Sequence, residues 1–259
     1  MSRLHLTFEC MGETLAGSLD TAPGASGLLL VTGGSETRAG AFSGQAALAA
    51  RIAAAGFPVF RFDRRGVGDS GGENKGFRKS ARDIESALAA FRVIAPQVER
   101  VVGFGNCDAA SALMLARGTE CDALVLSNPW TIEGDDAAPP PAAVRARYAE
   151  KLKNPREVAR LLTGGVNLGK LAKGLVQAGK RQSAPTTLAG EMAVGLAAFH
   201  GPVRFLLAGA DRTAQAFAAN WDAADDRIIR CEGAGHAWGE AHAREFLDRE
   251  LLAMLRAAP

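Results

Sequence analysis

Six short apolar runs, "GLLLVTGG" (27–34), "FPVFRFD" (57–63), "VERVVGFG" (98–105), "CDALVLSN" (121–128), "PVRFLLAGAD" (202–211) and "RIIRCEG" (227–233), punctuate the chain. Each is too short for a buried helix and too continuous for a half-exposed strand, which implies strands covered on both faces. Stretches of helical composition separate them: an Ala-rich segment over 43–55 ending at Gly56, another over roughly 77–94, one from Cys107 to Arg117, one after Asp211 and a last over 239–256. Strand-helix alternation of this kind predicts an α/β fold with a mostly parallel central sheet and helices on both faces. Ahead of it, "LHLTFECMGETLAGSLD" alternates apolar and polar residues and reads as an antiparallel hairpin turning near Met11-Gly12.

The alternation lapses over 131–200, which predicts a helical cap inserted into a core made of 1–130 and 201–259. The segment opens with "EGDDAAPPPAA", whose consecutive prolines end the preceding element and stiffen a linker. It carries ten Lys or Arg against six Asp or Glu, a net +4 beside −2 for the remainder. Apolar spacing at Val144, Tyr148 and Leu152, then Leu168, Leu171, Leu175 and Val176, suggests short amphipathic helices. A basic cap suits an acidic or lipid-linked acyl substrate, or peripheral contact with an anionic membrane surface through "LGKLAKGLVQAGKR"; a solvated lid helix fits as well.

Composition narrows the partners. A net charge of +2 on 259 residues argues against nucleic acid, which needs a concentrated basic face. No apolar leader opens the sequence, and no run reaches membrane-spanning length. Cys10, Cys107, Cys121 and Cys231 lie far apart without metal-ligand or disulfide-scaffold spacing. The expectation is a cytoplasmic protein with no metal and no cofactor.

The stretch "RGVGDSGGEN" (65–74) imitates three motifs. Gly68 to Gly72 fits both G-x-S-x-G and the GDSGG string of chymotrypsin-like proteases, and Gly66 to Gly71 fits G-x-G-x-x-G. A protease of that type is all-β with its histidine well upstream, whereas only His5 precedes Ser70 here. A dinucleotide loop opens a helix at once, whereas the helix here starts only after Glu73. The remaining reading is structural: Asp63, Arg64 and Arg65 follow a buried strand and fix neighbouring loops by charge-assisted hydrogen bonds, with glycines for the turns.

"VERVVGFGNCDAASALML" carries the stronger signal. A strand runs into Gly105-Asn106-Cys107-Asp108-Ala109 and a helix starts directly, the context of a nucleophile elbow with cysteine in place of serine and Ala109 in place of the last glycine. Small residues two before and two after Cys107 permit the strained turn, and the helix N-terminus favours a thiolate. Asp211 ends one strand, where an orienting carboxylate belongs; as a helix N-cap it could serve both purposes. His236 follows another strand in a glycine turn, where a general base belongs. The order nucleophile, acid, histidine is that of the α/β-hydrolase fold. The oxyanion hole would draw on the N–H of Asp108 and on the loop "VTGGSETRAG", with Ser35 the first donor and Gly34 the next. Arg38 in that loop is a candidate reader of a substrate anion. The Asp108 carboxylate opposes a neighbouring thiolate unless Arg38 or Arg64 neutralises it.

With these residues assembled, the chain resembles an α/β-hydrolase, and more narrowly the first type of exosortase A-associated hydrolase. The resemblance rests on "VTGGSETRAG", "FPVFRFDRRGVGDSGG", "GNCDAASALML", "LSNPW", "RYAEKLKNP", "LLAGADRTAQAF" and "GAGHAW". It implies a hydrolase with a cysteine nucleophile, linked by gene neighbourhood to bacterial exopolysaccharide and protein-sorting systems. Three functions remain open: a Cys-His-Asp hydrolase of esters or thioesters, an acyltransferase with the same residues, and a non-catalytic binding protein that keeps the fold.

Overall fold

The computed structural model describes residues 2–133 and 186–257, so most of the segment expected to form the cap lies outside the described residues. Eight strands form one sheet in the order β1-β2-β4-β3-β5-β6-β7-β8: β1 Arg3–Cys10, β2 Glu13–Asp20, β3 Ser26–Val31, β4 Val59–Phe62, β5 Arg100–Asn106, β6 Ala123–Ser127, β7 Val203–Ala208 and β8 Ile228–Cys231. The hairpin β1–β2 is antiparallel and joins β4 antiparallel; the other pairings are parallel. Six α-helices lie among the described residues: α1 Gly44–Ala54, α2 Ala81–Ile94, α3 Asp108–Leu115, α4 Thr187–Ala197, α5 Arg212–Asn220 and α6 Ala241–Arg256. This is the architecture of the α/β-hydrolase fold, as the strand-helix alternation led one to expect.

The apolar runs are continuous because both faces are buried. Leu28, Leu30, Val102, Phe104, Val125 and Leu206 face α1 and α6, while Leu29, Val31, Val101, Leu124, Leu126 and Phe205 face α2 to α5. Burying each such side chain stabilises the fold by about 1.5–3 kcal/mol. Gly105 sits where α3 presses on β5: a Cβ there would come within 2.6 Å of the Ala109 backbone. That close approach brings the helix directly against the strand end and sets the turn between them.

Residues 187–197 fall within the range expected for the cap, yet α4 packs as a core layer. Leu188, Met192 and Leu196, one turn apart, are buried with α3. Its N-cap Thr186 accepts from the Ala189 N–H at 3.1 Å, and the Thr186 hydroxyl donates to the Thr131 carbonyl, also at 3.1 Å. The amphipathic helices expected at Val144, Tyr148 and Leu152 and at Leu168, Leu171, Leu175 and Val176 lie outside the described residues.

Candidate active site

The loops after β3, β5, β7 and β8 meet at the C-terminal edge of the sheet. Cys107 stands between β5 and α3 with φ 63° and ψ −129°, a conformation that costs a non-glycine residue about 1–3 kcal/mol. Neighbouring backbone holds it there. Its N–H donates to the Ser127 carbonyl at 2.9 Å, and its carbonyl accepts from Ala110 at 3.1 Å and Trp130 at 3.3 Å. Cys107 is half-buried, whereas Cys10, Cys121 and Cys231 are buried. Burial raises the thiol pKa of all three, that of Cys121 to about 12. Among the four, only Cys107 is open to solvent.

Asp211 follows β7 and heads α5. Its Oδ1 accepts from the Thr213 N–H and its Oδ2 from the Ala214 N–H, both at 3.1 Å, so it caps the helix as the sequence suggested. The same Oδ2 accepts from His236 Nδ1 at 2.8 Å. One carboxylate, 7% exposed, therefore serves both purposes. The His236 pKa is raised to about 10, first by the hydrogen bond to Asp211 and then by the neighbouring Cys107 thiol. The three groups converge from separate loops.

Two other histidines lie away from this cluster: His5 bonds Ser18 in the hairpin, and His242 meets the Glu232 carbonyl. Asp225 is spent on Arg227 and the Trp221 indole, and its pKa falls to about 2 chiefly through Arg227.

In the loop after β3, the Gly34 N–H donates to Asp108 Oδ1 at 2.7 Å, so the second expected oxyanion donor is already engaged. Ser35 is exposed, and the Asp108 N–H heads α3 without an intrahelical acceptor. The anion-reading expectation for Arg38 is corrected. Its guanidinium is taken up by the Asp63 carboxylate, by Asp69 at 2.8 Å and by the Ser18 hydroxyl at 3.1 Å. Arg64, not Arg38, faces the Asp108 carboxylate, at 3.9 Å.

The glycine-rich loop proves structural. The Ser70 hydroxyl donates to the Asp63 carbonyl at 2.7 Å and accepts from the Ala16 N–H at 3.0 Å. Fully buried Asp63 accepts from the backbone N–H groups of Arg38 and Asp69.

A polar network beneath the histidine escaped sequence reasoning. The Asn106 amide donates to the His236 carbonyl at 3.2 Å, and its oxygen accepts from Ser127 at 2.8 Å and Asn128 at 3.0 Å. The Trp238 indole donates to the Ser127 hydroxyl at 2.9 Å, and the Asn128 oxygen accepts from the Ala208 N–H at 2.9 Å. These bonds tie β5, β6 and β7 to the histidine loop. The visible signal was polar residues closing two apolar runs, at "FGN" and "LSN".

Among the described residues, no cluster of three or more His, Cys, Asp or Glu is placed to hold a metal ion, and no helix is long and apolar enough to cross a membrane.

A family model described as the alpha/beta hydrolase family matches residues 28–249, and the chain belongs to that family. No curated protein matches the sequence. Solved structures share the fold at low identity. An esterase of Pyrococcus furiosus aligns with a TM-score of 0.62 at 13% identity, covering 98% of this chain and 91% of its own. A lidless α/β serine hydrolase of Xanthomonas campestris gives 0.61 at 14% identity, covering 100% and 98%. Est1E of Butyrivibrio proteoclasticus, solved with ferulic acid bound, gives 0.57 at 15% identity, covering 97% and 100%.

Proposed function

We propose that the protein hydrolyses an ester or thioester through Cys107, His236 and Asp211. The observation that carries this reading is the Asp211–His236 hydrogen bond beside an elbow cysteine whose thiol adds to the rise in the His236 pKa. In that reading the Cys107 thiol gives its proton to His236 Nε2, its sulfur adds to the substrate carbonyl carbon, and the carbonyl π pair moves to oxygen. Backbone N–H groups of Asp108 and Ser35 hold the oxyanion. Collapse expels the alcohol or thiol, which takes the proton from His236 Nε2, leaving an acyl group on sulfur. Water, deprotonated by the same nitrogen, then releases the acid and restores the thiol. Asp211 holds the Nδ1 proton throughout.

Transfer to an acceptor other than water is the same chemistry with a different second nucleophile. A binding protein without activity has no use for an aligned histidine and carboxylate, which counts against that reading. Esterases and a serine hydrolase among the structural relatives support ester chemistry. The resemblance to exosortase A-associated hydrolases supports a cytoplasmic role beside an exopolysaccharide or protein-sorting system. The basic segment supports an acidic or lipid-linked acyl substrate.

The test is turnover of a panel of p-nitrophenyl esters and acyl thioesters by wild type, Cys107→Ala and His236→Ala. Turnover that disappears in both variants supports the reading; turnover that survives Cys107→Ala refutes it.

A further inference from the structure

We infer that Arg64 and the Asp108 carboxylate are positioning residues that aim the oxyanion loop, tying up the Gly34 N–H and presenting the Ser35 N–H to the substrate oxygen. This rests on the acyl-enzyme reading above. Both groups of Gly34 are held. Its N–H donates to Asp108 Oδ1 at 2.7 Å, and its carbonyl accepts from Arg64 Nη2. The Gly34 carbonyl and the Ser35 N–H belong to one trans peptide unit, so they point in opposite directions. Arg64 grips the carbonyl from the interior, where it is 2% exposed. The Ser35 N–H is thereby turned outward, and it has no acceptor among the described residues.

The surroundings fit a device of this kind. A Cβ on Gly33 would lie 2.4 Å from Asp108 Oδ1 and 3.0 Å from the Asn106 carbonyl, so glycine is needed for the carboxylate to reach under the loop. Gly34 itself adopts φ 55°, and the Glu36 N–H closes the turn onto the Gly33 carbonyl at 3.0 Å. Arg64 Nη1 donates to the Ser80 hydroxyl at 2.9 Å, anchoring the guanidinium to the start of α2. Its Nε is buried without an acceptor. A cation buried with one donor unsatisfied is tolerated where a specific contact requires it. Here it holds Gly34 and balances Asp108, whose carboxylate therefore faces Arg64 and the Gly33–Gly34 backbone.

Two rates on the same sulfur test the inference. Alkylation of Cys107 by iodoacetamide is displacement at a saturated carbon and needs the thiolate but no oxyanion donor. The acylation burst with p-nitrophenyl acetate needs both. Asp108→Ala is expected to slow acylation by about 10²-fold while alkylation stays within about 3-fold of wild type. Asp108→Asn keeps an oxygen for the Gly34 N–H and recovers most of the burst; Arg64→Lys, which cannot grip the carbonyl in the same geometry, resembles Asp108→Ala. Parallel loss of both rates in Asp108→Ala and Asp108→Asn overturns the inference. So does acylation in Asp108→Ala as fast as wild type or faster, which would make the Gly34 N–H the working donor and the carboxylate its blocker. A wild type that alkylates but never acylates with any ester or thioester refutes the acyl-enzyme reading itself.

Discussion

Replacing Asp211 by asparagine separates the two duties of that side chain. Asparagine retains an oxygen for the Thr213 and Ala214 N–H groups, so the helix cap survives. It has no charge to hold the His236 proton, whose pKa of about 10 owes most to Asp211. At ~1.4 kcal/mol per pH unit, raising that pKa from 6.5 to about 10 would be worth about 5 kcal/mol in a dry pair. The His236 side chain is 43% exposed, and solvent screening reduces this to about 1–2 kcal/mol. Folded His236 binds its proton more tightly than the unfolded chain does. Its stabilisation is therefore complete below pH ~6.5 and is lost as pH rises through about 10. Urea unfolding of wild type and Asp211→Asn at steps from pH 6 to pH 10 should show a gap of about 1–2 kcal/mol at the acid end that narrows toward pH 10. Curves that run parallel across the whole range would refute the assigned pairing of His236 with Asp211.

Further outcomes follow from the same contacts. Cys107→Gly removes the side chain from a left-handed backbone, and thermal melts should show a Tm rise of about 2–4 °C together with complete loss of iodoacetamide-reactive activity. Gly105→Ala drives a Cβ into the Ala109–Ala110 backbone, so soluble yield and Tm should both fall, by more than about 2 kcal/mol in denaturant titration. Asn106→Ala strips the His236 carbonyl and two neighbours of a partner; esterase assays should show kcat reduced about tenfold or more, and unfolding a loss of about 1–3 kcal/mol. Asn106→Ala at full kcat would remove the network from any role in the chemistry.

The sheet was legible in the sequence because burial on both faces leaves a mark that needs no third dimension. Leu28 to Val31 and Ala123 to Leu126 are apolar without interruption, since odd and even residues each meet a helical layer. The elbow was legible too, since Gly105 and Ala109 meet where the helix presses on the strand end and leave no room for a larger residue at 105. Asp211 and His236 could be found because both close strands that end at the same sheet edge. Arg38 was misread because its partners Asp63 and Asp69 lie 25 and 31 residues away, and nothing local marks its charge as spent. The Asn106–Ser127–Asn128–Trp238 network was hidden for a related reason: polar residues after an apolar run look like ordinary loop punctuation. Leu188, Met192 and Leu196 announce a helix by spacing, but only the face of α3 opposite them assigns that helix to the core.

Intact-protein and peptide mass spectrometry after brief incubation with an acyl thioester or activated ester addresses the mechanism most directly. The account predicts a mass gain equal to the acyl group, mapped to residue 107, that decays on standing and never forms in Cys107→Ala. Turnover with no acyl mass at residue 107 at any quench time, or an adduct on Ser70 instead, would contradict it.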